Sequence, residues 1–124
     1  MHISRHEFED AVERAIEMIP GMFRAQLNNM AISVEDLPSP DLLREMDIPP
    51  GEMLFGVFTG VPLTERSAIE PPLYPDVILI FREPLMAACH SFEELEEEIA
   101  ITVVHEVAHY MGLSEEQLEE LGYG

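Results

Sequence analysis

His105-Glu106-Val107-Ala108-His109-Tyr110-Met111-Gly112 is the stretch on which the reading of this chain turns. On a helix, His105 and His109 stand one turn apart and about 40° apart around the axis, so both imidazoles project on one side. Glu106 is rotated by about 100° from His105 and lies beside the pair rather than on it. Two imidazoles so spaced can take one tetrahedral Zn²⁺, each at about 2.0–2.1 Å. A carboxylate beside them is placed to act as general base on a metal-activated water. The bland alternative is a surface helix with two solvated histidines and a glutamate.

The flanking residues favour the metal reading. Ser91 and Glu94 form a capping box that starts a helix ahead of the motif. Phe92, Leu95, Ile99, Val103, Val107 and Tyr110 then repeat at helical spacing, on a side that faces away from the two histidines. The helix therefore has a core side and a separate polar side. Gly112 ends the run as a C′ glycine with positive φ, and a second capping box, Ser114 with Gln117, starts a short helix at once. A sharp turn there can fold the next residues back toward the histidines. A catalytic zinc takes three protein ligands. Glu115 is the first candidate for the third and Glu116 the alternative, against the plain reading of both as acids favoured in a first helical turn.

These residues resemble the H-E-x-x-H zinc peptidases, and most closely the small family of minimal zincins, in which H-E-x-x-H-x-x-G-x-x-D or -E nearly ends the domain. His105, Glu106, His109, Gly112 and Glu115 carry the match. The likeness extends loosely upstream, to a strand over residues 76–82 followed by an acidic helix. Metzincins have a histidine at the position of Glu115 and a methionine turn downstream; no methionine follows Glu115 here. The resemblance implies a small twisted sheet over the active-site helix, with one sheet edge lining the cleft. It also implies Zn²⁺ held by His105, His109 and Glu115, and hydrolysis of a peptide or amide bond with Glu106 as base. The competing reading is a metal-stabilised binding or adaptor domain without turnover. Glu106 argues against it, because a structural zinc has no use for a non-ligand acid at that position. Tyr110 falls on the apolar side of the helical wheel, so it reads as core rather than as an oxyanion donor.

The chain has 124 residues, 47% of them hydrophobic, which is enough for a single domain over 1–124 with a modest core. Acids outnumber bases 25 to 6, for a formal charge of −19. A field of that sign repels phosphate backbones, so nucleic acid is not an expected partner, whereas a peptide or protein substrate with basic character is compatible. No run of about twenty apolar residues is present, so no membrane span is expected. The first residues lack a signal core, and the single Cys89 reads as a small buried hydrophobe; a cytoplasmic setting is the expectation.

The remaining elements follow from capping and periodicity. Ser4 with Glu7 caps a first helix whose stripe is Phe8, Val12, Ala15, Ile16 and Ile19, ended by Pro20-Gly21. Met22-Phe23 reads as the start of a linker or a short turn. Strands are expected over 30–35, 54–59 and 76–82. The last is a continuous apolar run that suggests burial on both faces. Short helices are expected over 41–46 and 83–88. The proline-rich stretch 61–75 reads as a crossover or a flap over the site. The fold class is α+β: about three strands packed on the N-terminal helix and the motif helix.

Overall fold

Ser4 opens the first helix, α1 (Arg5–Glu17), and both halves of its capping box form: the Glu7 N–H donates to the Ser4 hydroxyl at 3.1 Å, and the Ser4 N–H donates to the Glu7 carboxylate at 3.0 Å. The Ser4 backbone N–H and then its hydroxyl hold the Glu7 carboxyl below its ordinary value. In this computed structural model, which describes residues 1–49, 51–60 and 76–123, α1 buries Phe8, Ala11, Val12 and Ala15. The flap expected over 61–75 lies outside those residues.

Of the two readings of the segment after α1, linker or short turn, the chain adopts the second, twice: α2 (Gly21–Arg24) and a 3₁₀ turn (Ala25–Asn29). Elements this short carry no periodicity to read. Burial of Phe23, 1% exposed, accounts for the first of them.

Among the described residues three strands follow: β1 (Ala31–Glu35), β2 (Gly56–Thr59) and β3 (Val77–Phe81). Their order across the sheet is β1-β3-β2. β1 runs parallel to β3, with Ala31 opposite Val77, and β2 runs antiparallel to it, with Gly56 opposite Ile80. The apolar run of residues 77–81 thus belongs to the central strand. The expected burial on both faces holds in full for Ile78 and Ile80; on the other face Phe81 is buried, while Val77 and Leu79 are half-buried.

Between the strands, Ser39 caps α3 (Pro40–Glu45) by accepting from the Leu42 N–H. β3 leads directly into α4 (Arg82–Ala88), then α5 (Phe92–Met111) and α6 (Glu115–Glu120). The motif helix α5 is the centre of the core. It packs on α1, on α4 and on the sheet through β2 and β3, and buries Leu95, Ile99, Val103, Val104 and Val107 completely. Each such aliphatic side chain contributes about 1.5–3 kcal/mol. Cys89 is buried as expected, and burial raises its thiol pKa. Among the described residues no helix is long and apolar enough to cross a membrane.

Candidate active site

A close approach of β2 to α5 builds the site. A Cβ at Gly56 would lie 2.7 Å from Thr102 Cγ2 and 2.9 Å from the Leu79 carbonyl oxygen, so only glycine lets the strand sit there. In β2, alternate residues bond to β3 and the others turn their backbone groups outward. The Phe81 N–H donates to the Phe55 carbonyl at 2.9 Å, which puts Gly56 and Phe58 in the outward set. One helical turn beyond Thr102 stands Glu106, and the outward Phe58 N–H donates to Glu106 Oε1 at 2.7 Å. A further turn on, the Tyr110 ring packs on the Phe58 ring with centroids 5.5 Å apart. Tyr110 is 3% exposed, in agreement with its place on the apolar side.

Glu106 is therefore an acid held at the edge of the core, its side chain 14% exposed. Burial raises its carboxyl pKa; the Phe58 N–H, then His109 and His105, pull in the opposite direction without cancelling it. Oε1 is taken up by the strand, and Oε2 faces the histidine side, 3.6 Å from His109 Nδ1.

His109 lies in the last turn of α5 with its side chain 51% exposed. Its Nε2 is 3.6 Å from Glu115 Oε1. Both carboxylates flank the ring at a distance beyond a hydrogen bond. Glu115 reaches this position through the turn read from the sequence: Gly112 adopts φ 80°, the Leu113 N–H closes on the Ala108 carbonyl at 2.9 Å, and Ser114 and Gln117 form a complete capping box at the head of α6. Of the two candidate acids, Glu115 is the one paired with a motif histidine among the described residues.

His105 is placed differently. Its Nε2–H donates to the backbone carbonyl of Tyr123. That carbonyl is presented by the turn ending α6, where the Tyr123 N–H donates to the Leu118 carbonyl at 2.9 Å and Gly122 adopts φ 90°. The Tyr123 ring anchors the turn edge-on against Phe23, centroids 6.1 Å apart. Accordingly, no group of three or more His, Cys, Asp or Glu side chains is gathered about one point among the described residues. Two imidazoles and a carboxylate are a donor set suited to zinc, with His109 and Glu115 already facing each other and His105 requiring release of its Nε2.

Two partners of the site are backbone groups, the Phe58 N–H and the Tyr123 carbonyl, and no residue type announces them. The one sequence signal that bore on the first was Gly56 inside a strand, a mark of close backbone approach.

Comparison with known proteins agrees with this architecture. The profile of a family described as zincin-like metallopeptidase matches residues 27–124. Among solved structures, a conserved hypothetical protein from Thermo thermophilus superposes with a TM-score of 0.54 at 20% identity, covering 96% of this chain and 97% of that one. At that identity the likeness is one of fold. No curated protein matches the chain.

Proposed function

The chain belongs to the zincin-like metallopeptidase family, and from that premise we propose that it is a zinc-dependent peptidase or related amide hydrolase. The observation that carries this reading is Glu106: a part-buried carboxylate held by the Phe58 N–H, with its second oxygen toward His109. A structural zinc would leave the second oxygen, which the strand does not use, without a task. His105, His109 and Glu115 would hold the ion. When bound, zinc supplies Lewis acidity, acidifying water toward a pKa of about 7 and polarising a carbonyl oxygen.

The chain's own residues do the proton work. The strand fixes Oε1 of Glu106, so Oε2 is the oxygen available to take the proton of the attacking water and return it to the leaving amine. The raised carboxyl pKa suits a group that must both accept and release a proton. The charge of −19 favours peptides with basic residues, and a lone buried cysteine is compatible with a reducing, cytoplasmic setting.

One observation favours a second reading, a binding domain without turnover: the Tyr123 carbonyl engages His105. Zinc analysis and a peptide library decide between the two. The peptidase reading expects about one zinc per chain, its loss in the His109→Ala variant, and cleavage near neutral pH with basic peptides included. A fully zinc-loaded protein that cleaves nothing supports the binding domain instead.

A further inference from the structure

We propose that the turn formed by residues 121–123 is an autoinhibitory latch, in which the Tyr123 carbonyl competes with a metal ion for Nε2 of His105. The inference rests on the metal-centre reading given above. A carbonyl oxygen only accepts hydrogen bonds, so His105 Nε2 carries the hydrogen in this contact. A metal ligand offers a lone pair at the coordinating nitrogen. One atom does not serve both, so docking of the turn and ligation through that nitrogen exclude each other. His109 meets Glu115 through its own Nε2. A metal taken up between His109 and Glu115 would therefore meet the ring tip, and one turn back along α5 the corresponding tip is the nitrogen held by Tyr123.

The latch is held by a small number of identifiable contacts. Tyr123 is half-buried at the margin of the core, with its ring edge-on against Phe23. Its carbonyl is aimed by Gly122, whose φ of 90° disfavours any residue with a side chain, although no atom lies within 4 Å of where its Cβ would be. α6 itself is secured separately by buried Leu118 and by the Ser114 cap. The latch proposal requires the turn to leave His105 while Glu115, at the other end of α6, stays near His109.

Two variants loosen the latch by different routes. Tyr123→Ala removes the ring contact, and Gly122→Val strains only the turn. The test is a zinc titration of metal-free protein against a chromophoric chelator, with thermal unfolding to confirm that each variant is folded. Both variants should bind zinc about five- to tenfold more tightly than the natural chain, the factor a single released hydrogen bond supplies. Long-range ¹H–¹⁵N spectra of the metal-free protein should show His105 held as the Nε2–H tautomer, and a tautomer mixture in the variants. Unchanged zinc affinity in both variants overturns the latch. So does weaker affinity, which would mean that the carbonyl orients the ring for ligation through Nδ1. If none of the three proteins binds zinc, the metal centre fails and the latch with it, while the tautomer spectrum still reports whether the contact exists.

Discussion

The two edges of the sheet are finished in different ways. Along β1 one outward group is met by a long side chain from a neighbouring helix: the Arg5 guanidinium donates to the Val34 carbonyl, and it lies 3.5 Å from Asp36 just past the strand, a carboxylate that Arg82 also reaches at 3.1 Å. Along β2 the outward Phe58 N–H is met by Glu106, a part-buried acid on the motif helix. Unpaired strand edges recruit further strands unless they are blocked. The β1 edge is flanked by two arginines, one exposed and one half-buried, that the proposed chemistry does not need. The β2 edge is held by the one group the proposed reaction does need, so stability and activity are joined there and separate at β1.

The largest break in this comparison comes from Glu106→Gln. The amide keeps an oxygen for the Phe58 N–H and removes the base. Turnover should fall by about two to four orders of magnitude with zinc content and unfolding midpoint close to the natural chain. Peptide cleavage at an undiminished rate would make the β2 edge as purely structural as the β1 edge.

Gly56→Val is next. Its branched side chain would meet Thr102 and the Leu79 carbonyl, so β2 must shift from α5. The expected cost in urea unfolding is about 1–3 kcal/mol, accompanied by loss of activity as the Phe58 N–H leaves Glu106. A natural unfolding midpoint would show that the strand does not lie against the helix as described.

At the β1 edge, Asp36→Ala removes both ion pairs from an exposed carboxylate. Such pairs contribute roughly 0.2–1 kcal/mol each, and activity should be unaffected. A drop in turnover of more than about twofold would erase the contrast between the edges.

The smallest effect concerns acid. The Glu7 carboxyl, next in the chain but one to Arg5, is held low by Ser4. Its folded value lies below its unfolded value, so its contribution is present above the ordinary carboxylate range and is lost as pH falls through the lowered folded value. A carboxyl titration followed by NMR should place Glu7 below the exposed glutamates; an ordinary value would mean that the capping box opens in solution.

Much of this arrangement was written in side-chain pattern. Ser4, Ser91 and Ser114 mark helix starts because a hydroxyl satisfies an N–H left open at the first turn. Gly112 marks a stop because only glycine takes its φ cheaply. Hence the polar side of α5 and the approach of Glu115 to His109 could be read in advance. The turns around Phe23 were legible only as one of two alternatives, since what fixes them is the burial of one ring. Strand order could not be read, because the apolar run at 77–81 indicates a buried strand but not its neighbours. The orientation of His105 escaped for another reason: a backbone carbonyl decides it, and Tyr123 contributes that carbonyl whatever its side chain.

The order β1-β3-β2 also bears on how the chain comes off the ribosome. The central strand is the last of the three to be synthesised, and β1 and β2 are each paired to it and not to each other. A nascent chain halted before Val77 holds two strands with no partner between them, and the helix that covers them, α5, is later still. Sheet and core must then form together, after most of the polypeptide is available, with β1 and β3 meeting across 46 residues from Ala31 to Val77. For a vectorially made chain this delays commitment: β1 and β2 wait, unpaired, for β3, and their cover waits for the helix that carries the motif histidines.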